Sequence, residues 1–511
     1  MPKLPVVSPL MPEPEIGHPE VLLRRAMRAE ADGHVATAIQ LYRQILKFDP
    51  TNLHAINHLG AVSGAGGDLP TALRLFADSL RIDPNQPEAW FNLGVAQSTV
   101  GLTLEALASA DRMIALSPHS GEGHFQRAST LAWLGRYQES VEAFRETLRL
   151  LPDDPSTAVN HGLALQWCGK YDAAFSEFDR AIGLNADLAD AWVSKGQLMM
   201  LLGDLPEGHA LHEWRWRTPA WLDSPRRPRG EYTESRWLGE TPIAGKTFFL
   251  VSDGGLGDTL QYCRYATIAA EAGAHVVVGV PNSLARLMLT LKGVARVITD
   301  GDPVPEYDHN CAMMSLPLAF GTTKDTIPAS IPYLYAEASG IAKWRDRLSG
   351  LRGRRIGLVW AGKSRPWDAI QVAGDQRRSV RLATLAPLAS VPGCDFVSLQ
   401  FGDPGEQGEN PPAGMVLHDF TKEMSTFADT AALIENLDLV ISVDTSTAHL
   451  AGAMGKPVWL LNRFDTCWRW MLDRDDSPWY PTMRIFRQPE SGDWASVVRS
   501  VAVALHAFVA G

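Results

Sequence analysis

Residues 53–86 read LHAINHLGAVSGAGGDLPTALRLFADSLRIDPNQ, and the 34-residue pattern of this stretch recurs on both sides of it. Prolines stand at positions 50, 84, 118 and 152, each 34 residues after the one before. Two helix-like stretches fill each period, which is typical of a hairpin that buries its apolar face only by stacking on neighbouring hairpins. The repetition predicts an α-solenoid of about six helix pairs over residues 19–217.

Residue types that keep step with the prolines identify the kind of repeat. One register holds small residues, where two helices approach closely: Ala26, Gly60, Gly94, Ala128, Gly162 and Gly196. Another register holds aromatic residues: Tyr42, Phe76, Phe144 and Phe178. A period of 34 residues with these registers is that of the tetratricopeptide repeat.

A third register of the repeats is polar. It contains Arg24, His58, Asn92, Gln126, Asn160 and Ser194. We predict that His58, Asn92, Gln126 and Asn160 bind a peptide backbone on the concave face of the array. The register resembles the asparagine ladder of the eukaryotic O-linked N-acetylglucosamine transferase, and Asn92 and Asn160 match that ladder by residue type. A solvated helix face is an equally open interpretation.

Composition excludes several classes of function. The formal net charge of −11 argues against a nucleic-acid-binding surface, which needs a positive face. Five cysteines lie far apart without a C-x-x-C pair, which favours reduced thiols and predicts neither a disulfide framework nor a zinc site. Prolines interrupt residues 1–18, so we predict a disordered tail there and no signal peptide. No apolar run is long enough for a membrane span, so we expect a cytoplasmic protein.

A connector rich in Pro, Arg and Trp follows the array at residues 218–245, and we expect it to be an ordered strap. From Lys246 onward, short apolar runs alternate with helical stretches, which predicts buried parallel strands in α/β layers. One series of strands includes residues 247–251, 275–280 and 296–298, and a second includes 355–360, 395–399, 437–442 and 457–461. Two series predict two Rossmann-like lobes over residues 246–352 and 353–511.

The loop after the first predicted strand reads DGGLGD from Asp253 to Asp258. Its glycines, Gly254, Gly255 and Gly257, allow a tight turn and close approach of a ligand at the N-terminus of the following helix. An ordinary structural turn between strand and helix is the alternative for this motif taken alone.

A second loop reads VDTSTAHL from Val443 to Leu450. The N–H groups and hydroxyls of Thr445, Ser446 and Thr447 at a helix N-terminus would form a cradle for a diphosphate. Asp444 is either part of that cradle or a helix cap. His449, one turn into the helix, either binds a phosphate or packs in the core.

The two motifs, in this order and in separate lobes, resemble glycosyltransferase family 9, the heptosyltransferase-like enzymes of the GT-B fold. The resemblance covers residues 246–511. It is closest to a bacterial branch in which tetratricopeptide repeats precede the transferase, because residues 468–481 (WRWMLDRDDSPWYP) are similar to a segment of that branch. The acceptor signature of heptosyltransferases is replaced by residues 261–264 (QYCR), so neither a heptose donor nor a lipopolysaccharide acceptor is implied.

The resemblance implies roles for particular residues. Asp258 is the expected general base, and Asp444 to His449 are expected to contact the donor diphosphate. Lys363 and Ser364, after the first strand of the second lobe, are further expected phosphate contacts, with Lys363 acting as a point charge. We also expect Arg469 at the phosphates and Gln400 at the nucleotide. Arg377, Arg378 and Ser379 either assist phosphate binding or form a surface basic cluster, and we favour the latter.

The sequence therefore predicts a glycosyltransferase that uses a nucleotide sugar as co-substrate and needs no cofactor and no metal. Inversion at the anomeric carbon follows from the resemblance alone. We expect the acceptor to be a protein presented by the repeats, with flagellin as one candidate. The alternatives are a saccharide or lipid-linked acceptor, and a repeat scaffold whose transferase domain is inactive. A nucleotide-sugar epimerase of the same two-lobed fold is a further alternative, which the attached repeats disfavour.

Overall fold

The structure is a computed structural model that describes residues 19–222, 236–362 and 369–511. The tail predicted at residues 1–18, most of the connector, and both Lys363 and Ser364 lie outside the described residues. The chain divides into two compact units. One contains residues 19–134 and 142–152, and the other contains residues 135–141, 153–222, 236–362 and 370–511.

Twelve helices occupy the repeat region, as the 34-residue period predicts. They are α1 (Pro19–Ala31), α2 (Val35–Phe48), α3 (Leu53–Ala65), α4 (Leu69–Ile82), α5 (Pro87–Thr99), α6 (Thr103–Leu116), α7 (Gly121–Trp133), α8 (Tyr137–Leu150), α9 (Pro155–Trp167), α10 (Tyr171–Leu184), α11 (Ala189–Leu202) and α12 (Leu205–His212). Helices α9 to α12 belong to the same unit as the α/β part of the chain.

Packing inside each hairpin explains the registers of small and aromatic residues. A β-carbon on Gly60 would lie 2.9 Å from the ring of Phe76, and one on Gly162 would lie 2.6 Å from the ring of Phe178. Another glycine register turns the chain between the two helices of each pair: Gly33, Gly67, Gly101, Gly135, Gly169 and Gly203 all have φ between 75° and 98°. Since L side chains rarely adopt that conformation, these turns favour glycine.

A short 3₁₀ helix (Glu213–Arg217) and α13 (Pro219–Leu222) follow the repeats. On the far side of the gap, Trp237 is buried, and its ring packs edge-on against Phe248 and Phe320. The described end of the connector is thus fixed to the α/β part by an aromatic cluster, and the ordered strap over residues 218–245 stays a prediction.

A four-stranded parallel sheet forms the first part of the α/β region, with the strand order β3-β2-β1-β4. Its strands are β1 (Thr247–Val251), β2 (His275–Gly279), β3 (Val294–Ile298) and β4 (His309–Ala312). The helices that follow its strands are α14 (Leu256–Tyr262), α15 (Arg264–Glu271), α16 (Asn282–Met288) and α17 (Leu316–Ala319). The next helix, α18 (Ala338–Arg347), packs against a later helix, Phe427–Glu435, where a β-carbon on Gly340 would lie 2.8 Å from Ala432. Strand β4, which is only four residues long, was not predicted.

A six-stranded parallel sheet forms the second part, with the order β10-β9-β8-β5-β6-β7. Its strands are β5 (Arg354–Val359), β6 (Cys394–Ser398), β7 (Leu417–Asp419), β8 (Leu439–Val443), β9 (Val458–Asn462) and β10 (Met483–Arg487). Its helices are α19 (Ala369–Arg378), α20 (Phe427–Glu435), α21 (Ser446–Ala453) and α22 (Trp494–Ala510). Two parallel sheets with helical connections confirm the α/β class, and the assignment to GT-B remains a prediction.

Candidate functional site at the strand ends

The first glycine loop joins β1 to α14, and its two carboxylates have protein partners. Asp253 is buried, and it accepts hydrogen bonds from the backbone N–H of Met314 and from Arg215, both at 3.0 Å. Asp258 accepts a hydrogen bond from the N–H of Gly255 at 2.7 Å. Gly254 leaves no room for a side chain, because a β-carbon there would lie 2.6 Å from Asp258 Oδ2. The loop is therefore a tight turn that fixes the position of Asp258.

Arg469, from the 3₁₀ helix Trp468–Trp470, forms an ion pair with Oδ1 of Asp258. The guanidinium also donates to Gln261 Oε1 at 3.0 Å and to Cys467 Sγ at 3.1 Å, and it lies over the ring of Trp468. Burial disfavours its charged form, yet the carboxylate of Asp258 helps to hold the pKa of Arg469 well above its ordinary value. The predicted base and a predicted phosphate contact are thus joined to each other.

Residues 261–264 have structural partners. Gln261 orients Arg469, as described above. Arg264 is buried and donates to the carbonyls of Pro328 and Trp479 and to the hydroxyl of Tyr333, at 2.8–2.9 Å. Arg264 therefore stabilises the protein around the first loop. Its guanidinium is fully used by protein partners and is not available to an acceptor.

The second loop joins β8 to α21. Thr445 is the residue that precedes the helix, so Asp444 is not its cap. Within the described part of the chain, no acceptor is recorded for the backbone N–H groups of Ser446 and Thr447, which begin the helix. Free N–H groups at a helix N-terminus favour an anion. The diphosphate contact of these residues stays a prediction.

His449 connects the two loops. Its Nδ1 lies 2.9 Å from the hydroxyl of Tyr480, and its ring stacks on Trp470. A β-carbon on Gly257 would lie 2.9 Å from Cδ2 of His449, so only glycine permits the first loop to approach α21 this closely. Burial lowers the pKa of His449 to about 4, although the nearby carboxylate of Asp444 acts in the opposite direction. The imidazole is therefore neutral at pH 7, and it packs in the core.

The loop after β5 contains Gly362 and continues to Lys363 and Ser364, whose predicted phosphate contacts lie outside the described residues. Gln400 holds the described part of this loop. Its Oε1 accepts from the N–H groups of Trp360 and Ala361 at 3.0 and 2.8 Å, and its Nε2 donates to two carbonyls. The nucleotide contact predicted for Gln400 stays a prediction, since its amide already has backbone partners.

Arg378 lies beside both the loop after β5 and the second loop, which joins β8 to α21. It donates to the carbonyl of Asp444 at 3.0 Å and pairs with Asp375. A β-carbon on Gly362 would lie 2.5 Å from its guanidinium. Arg378 keeps only 25% of its side-chain area exposed, so it is not part of an open surface cluster.

Arg463 is a further cation at this edge of the sheet, and sequence reasoning missed it. It directly follows β9, which is the neighbour of β8. Burial disfavours its charge, but the carboxylates of Asp465 and Asp444 hold the pKa of Arg463 above its ordinary value. Ligands of parallel sheets bind outside the carboxyl ends of the strands. The signal that could have identified Arg463 is a cation two residues after the predicted strand 457–461.

The predicted peptide-binding register has mixed surroundings. His58 stacks on Tyr42 and its Nδ1 lies 3.1 Å from Glu30, while Gln126 is buried and donates to the carbonyl of Phe91 at 3.1 Å. Asn160 donates to the carbonyl of Ser156 within its own helix. Asn92 is partly exposed, and no hydrogen bond of its side chain is recorded among the described residues. An unbroken ladder of free amides is therefore not present, and Asn92 is its most available member.

The described residues contain no group of three or more His, Cys, Asp or Glu side chains arranged to hold a metal ion. In the same part of the chain, no helix has both the length and the apolar character that crossing a membrane requires. All five cysteines are free.

Comparison with known proteins supports the helical repeats. Residues 64–120 match the family model of the tetratricopeptide repeat. Protein FlbA of Caulobacter vibrioides is 26% identical over an alignment of 352 positions, and the match covers 64% of this chain and 57% of FlbA. The chain thus matches little more than half the length of this relative.

Solved structures resemble about one third of the chain. The crystal structure of the MamA protein is 22% identical, covers 33% of this chain and 92% of its own, and has a TM-score of 0.31. YrrB, described as a tetratricopeptide-repeat protein with an unusual peptide-binding site, is 20% identical, covers 35% of this chain and 91% of its own, and has a TM-score of 0.32.

Proposed function

We propose that the α/β region is a glycosyltransferase that moves a sugar from a nucleotide-sugar donor to an acceptor, and that the tetratricopeptide repeats present a protein acceptor. The single observation that supports this proposal best is the contact between Gly257 and His449. It joins the loops at the carboxyl ends of β1 and β8, and so places the carboxylate of Asp258 near the helix N-terminus at Ser446.

The charges of the site suit a diphosphate leaving group. Three arginines lie near the two loops: Arg378 and Arg463 interact with Asp444, and Arg469 pairs with Asp258. The N–H groups of Ser446 and Thr447 lie at the N-terminus of α21. Fixed donors at the position where negative charge develops stabilise it without reorganisation. These groups would take the role that a metal ion has in other transferases.

In the proposed reaction the acceptor hydroxyl gives its proton to Asp258 while its oxygen bonds to the anomeric carbon. The bond from that carbon to the diphosphate oxygen breaks, and the electron pair leaves with the nucleoside diphosphate. In the structure both oxygens of Asp258 have partners, Arg469 and the N–H of Gly255. We propose that the donor diphosphate draws Arg469 away, which frees Oδ1 of Asp258 to accept the proton.

The same ion pair also favours a second candidate, a repeat scaffold whose transferase domain is inactive. If Arg469 stays on Asp258 when a nucleotide is present, no base is available. The tetratricopeptide repeats would then provide the whole function by binding a protein partner.

Isothermal titration of the full-length protein with UDP, GDP, ADP, dTDP and CDP separates the two candidates. The transferase proposal predicts that one nucleoside diphosphate binds and that Arg469→Met weakens it by about 10- to 100-fold, since a charge-assisted hydrogen bond contributes about 1.5–3 kcal/mol. Arg474→Met is the matched control, because Arg474 pairs with the exposed Asp476. Binding of none of the five would leave the scaffold as the explanation. Mass spectrometry of co-purified proteins then identifies the acceptor or partner.

A further inference from the structure

The end of the repeat array places one buried arginine against the α/β region. Arg215 lies in the 3₁₀ helix Glu213–Arg217 and is 8% exposed. It donates to Asp253 Oδ2 at 3.0 Å and to Ser315 Oγ at 2.7 Å, and its other terminal nitrogen pairs with Glu213. Burying an ion pair has a desolvation cost, so an apolar residue would fill this position at a lower free energy if packing were its only role.

Asp253 transmits this contact to the first glycine loop. Its second oxygen accepts the N–H of Met314, so the carboxylate is held from two sides. The next residue, Gly254, leaves no space between Met314 and Asp258: a β-carbon there would lie 2.7 Å from the sulfur of Met314 and 2.6 Å from Asp258 Oδ2. A displacement of Asp253 therefore shifts the turn that positions Asp258.

The last helix of the array makes a second contact, to the other partner of the ion pair. His209 of α12 is 2% exposed and packs edge-on against Trp468, with ring centroids 5.6 Å apart. Trp468 also contacts Arg469, whose guanidinium lies 4.2 Å from the centroid of the tryptophan ring. Trp468 therefore connects His209 to Arg469. Neither ring nitrogen of His209 has a hydrogen-bond partner among the described residues.

We propose that Arg215 and His209 are positioning residues that keep Asp258 and Arg469 at their relative positions. The last helix pair of the array is then a structural part of the donor site. This inference rests on the proposed function for its catalytic consequence, but its geometric content is independent of it. Arg215 acts through Asp253 on the loop of Asp258, and His209 acts through Trp468 on Arg469.

The first test uses the pair Arg215→Met and Asp253→Asn in the full-length protein. The single variant Arg215→Met leaves the buried carboxylate of Asp253 without its arginine and is prone to unfold. The double variant removes both charges and keeps an acceptor for the N–H of Met314, while Glu213 keeps Arg236 at 3.4 Å as a partner. We expect the double variant to retain a wild-type melting temperature and to lose about 10- to 100-fold in kcat, since displacements of about 1 Å cost up to about 10²-fold. The KM of the donor should change little.

Arg217→Met is the matched control, since Arg217 belongs to the same 3₁₀ helix but is exposed and only lies over the ring of Trp214. It should leave kcat unchanged. A double variant with wild-type kcat would overturn the role of Arg215, and so would an equal loss in the Arg217→Met control.

The second test compares His209→Phe with His209→Ala. Phenylalanine keeps a ring against Trp468, whereas alanine removes it, so only His209→Ala should lower kcat. The readout that does not need an active enzyme is amide hydrogen exchange of residues 253–258 and 466–470. It should rise in residues 253–258 for the Arg215 double variant and in residues 466–470 for His209→Ala, because local opening becomes easier. If no transfer is detected even in the wild type, the proposed function fails while this exchange pattern still decides the inference; unchanged exchange in both variants would overturn it.

Discussion

The two strand-end loops use their polar groups differently. In the first loop, the carboxylates of Asp253 and Asp258 are both engaged by arginines and backbone N–H groups of the protein. In the second loop, the N–H groups of Ser446 and Thr447 have no recorded acceptor within the described residues. The first loop therefore holds one carboxylate in place, whereas the second loop keeps two backbone donors that no described residue uses.

The largest expected effect tests the first loop. Asp258→Asn keeps the acceptor for the N–H of Gly255 but removes the proposed base, so the transfer rate should fall by about 10²–10⁴-fold. Binding of the nucleoside diphosphate should persist, because the second loop is intact. Radiolabelled sugar transfer and isothermal titration measure the two quantities. Glu271→Gln, at an exposed site on α15, is the control. Wild-type turnover by Asp258→Asn would remove the distinction between the loops.

The next effect concerns pH and His449 at the second loop. Its pKa lies near 4 in the folded protein against an ordinary 6.5, because it is buried. The unfolded chain therefore binds more protons between these values, and the free energy of unfolding decreases as the pH falls from 6.5 to 4, by about 3 kcal/mol in all from this group. Urea unfolding of the wild type and of His449→Gln across this range measures the loss.

His449→Gln should lose less stability than the wild type on acidification. Since His209 also has a pKa lowered by burial, to about 3, some acid sensitivity will remain in the variant. Parallel curves for the two proteins would show that His449 is not buried against the first loop as described.

A smaller effect tests the contact between the loops. Gly257→Ala introduces a methyl group 2.9 Å from the His449 ring, and overpacking of this kind costs about 1–3 kcal/mol. The melting temperature should drop, and nucleoside diphosphate binding should weaken with it. Gly183→Ala is the matched control, because nothing lies within 4 Å of its added methyl group and alanine favours a helix. Equal behaviour of the two variants would contradict the close approach of the loops.

The smallest expected effect lies outside both loops. Asn92→Ala removes a partly exposed amide of the repeats, so the KM for a protein acceptor should rise by about two- to tenfold, as expected for one hydrogen bond of about 0.5–1.5 kcal/mol. Donor hydrolysis should not change. Gln126→Ala is the contrasting variant, since its amide serves the carbonyl of Phe91 and its loss should lower stability instead. If Asn92→Ala changed the rate of donor hydrolysis, the claim that Asn92 acts only in acceptor binding would be contradicted.

Local periodicity made much of the fold predictable. The register of Gly60 and Phe76 follows directly from a helix pair that repeats every 34 residues. The strand Thr247–Val251 begins and ends where its apolar run does, because it is a buried parallel strand. Strands β4, β7 and β10 were not predicted. Strands β4 and β7 are runs of four and three residues without a distinct pattern, and in β10 (MRIFR) two arginines interrupt the apolar run.

The site was predictable only in part. Glycine spacing located the first loop, and hydroxyl residues after a strand located the second. Asp258 and Arg469 are 211 residues apart in the sequence, and Arg215 and Asp253 are 38 residues apart. Neither pair therefore has a local sequence signal. Gln400 was assigned to the nucleotide because it follows a strand, a position that equally suits a side chain that fixes the neighbouring loop.

The most direct measurement of the central claim is titration of the full-length protein with a nucleoside diphosphate, followed by the same titration of Gly257→Ala and Arg469→Met. If the two loops together form a donor diphosphate site, one nucleotide of the panel binds with a stoichiometry of about one, as for a single site, and both variants weaken it. If no nucleoside diphosphate binds the wild-type protein, or if it binds equally well to both variants, the loops do not form that site.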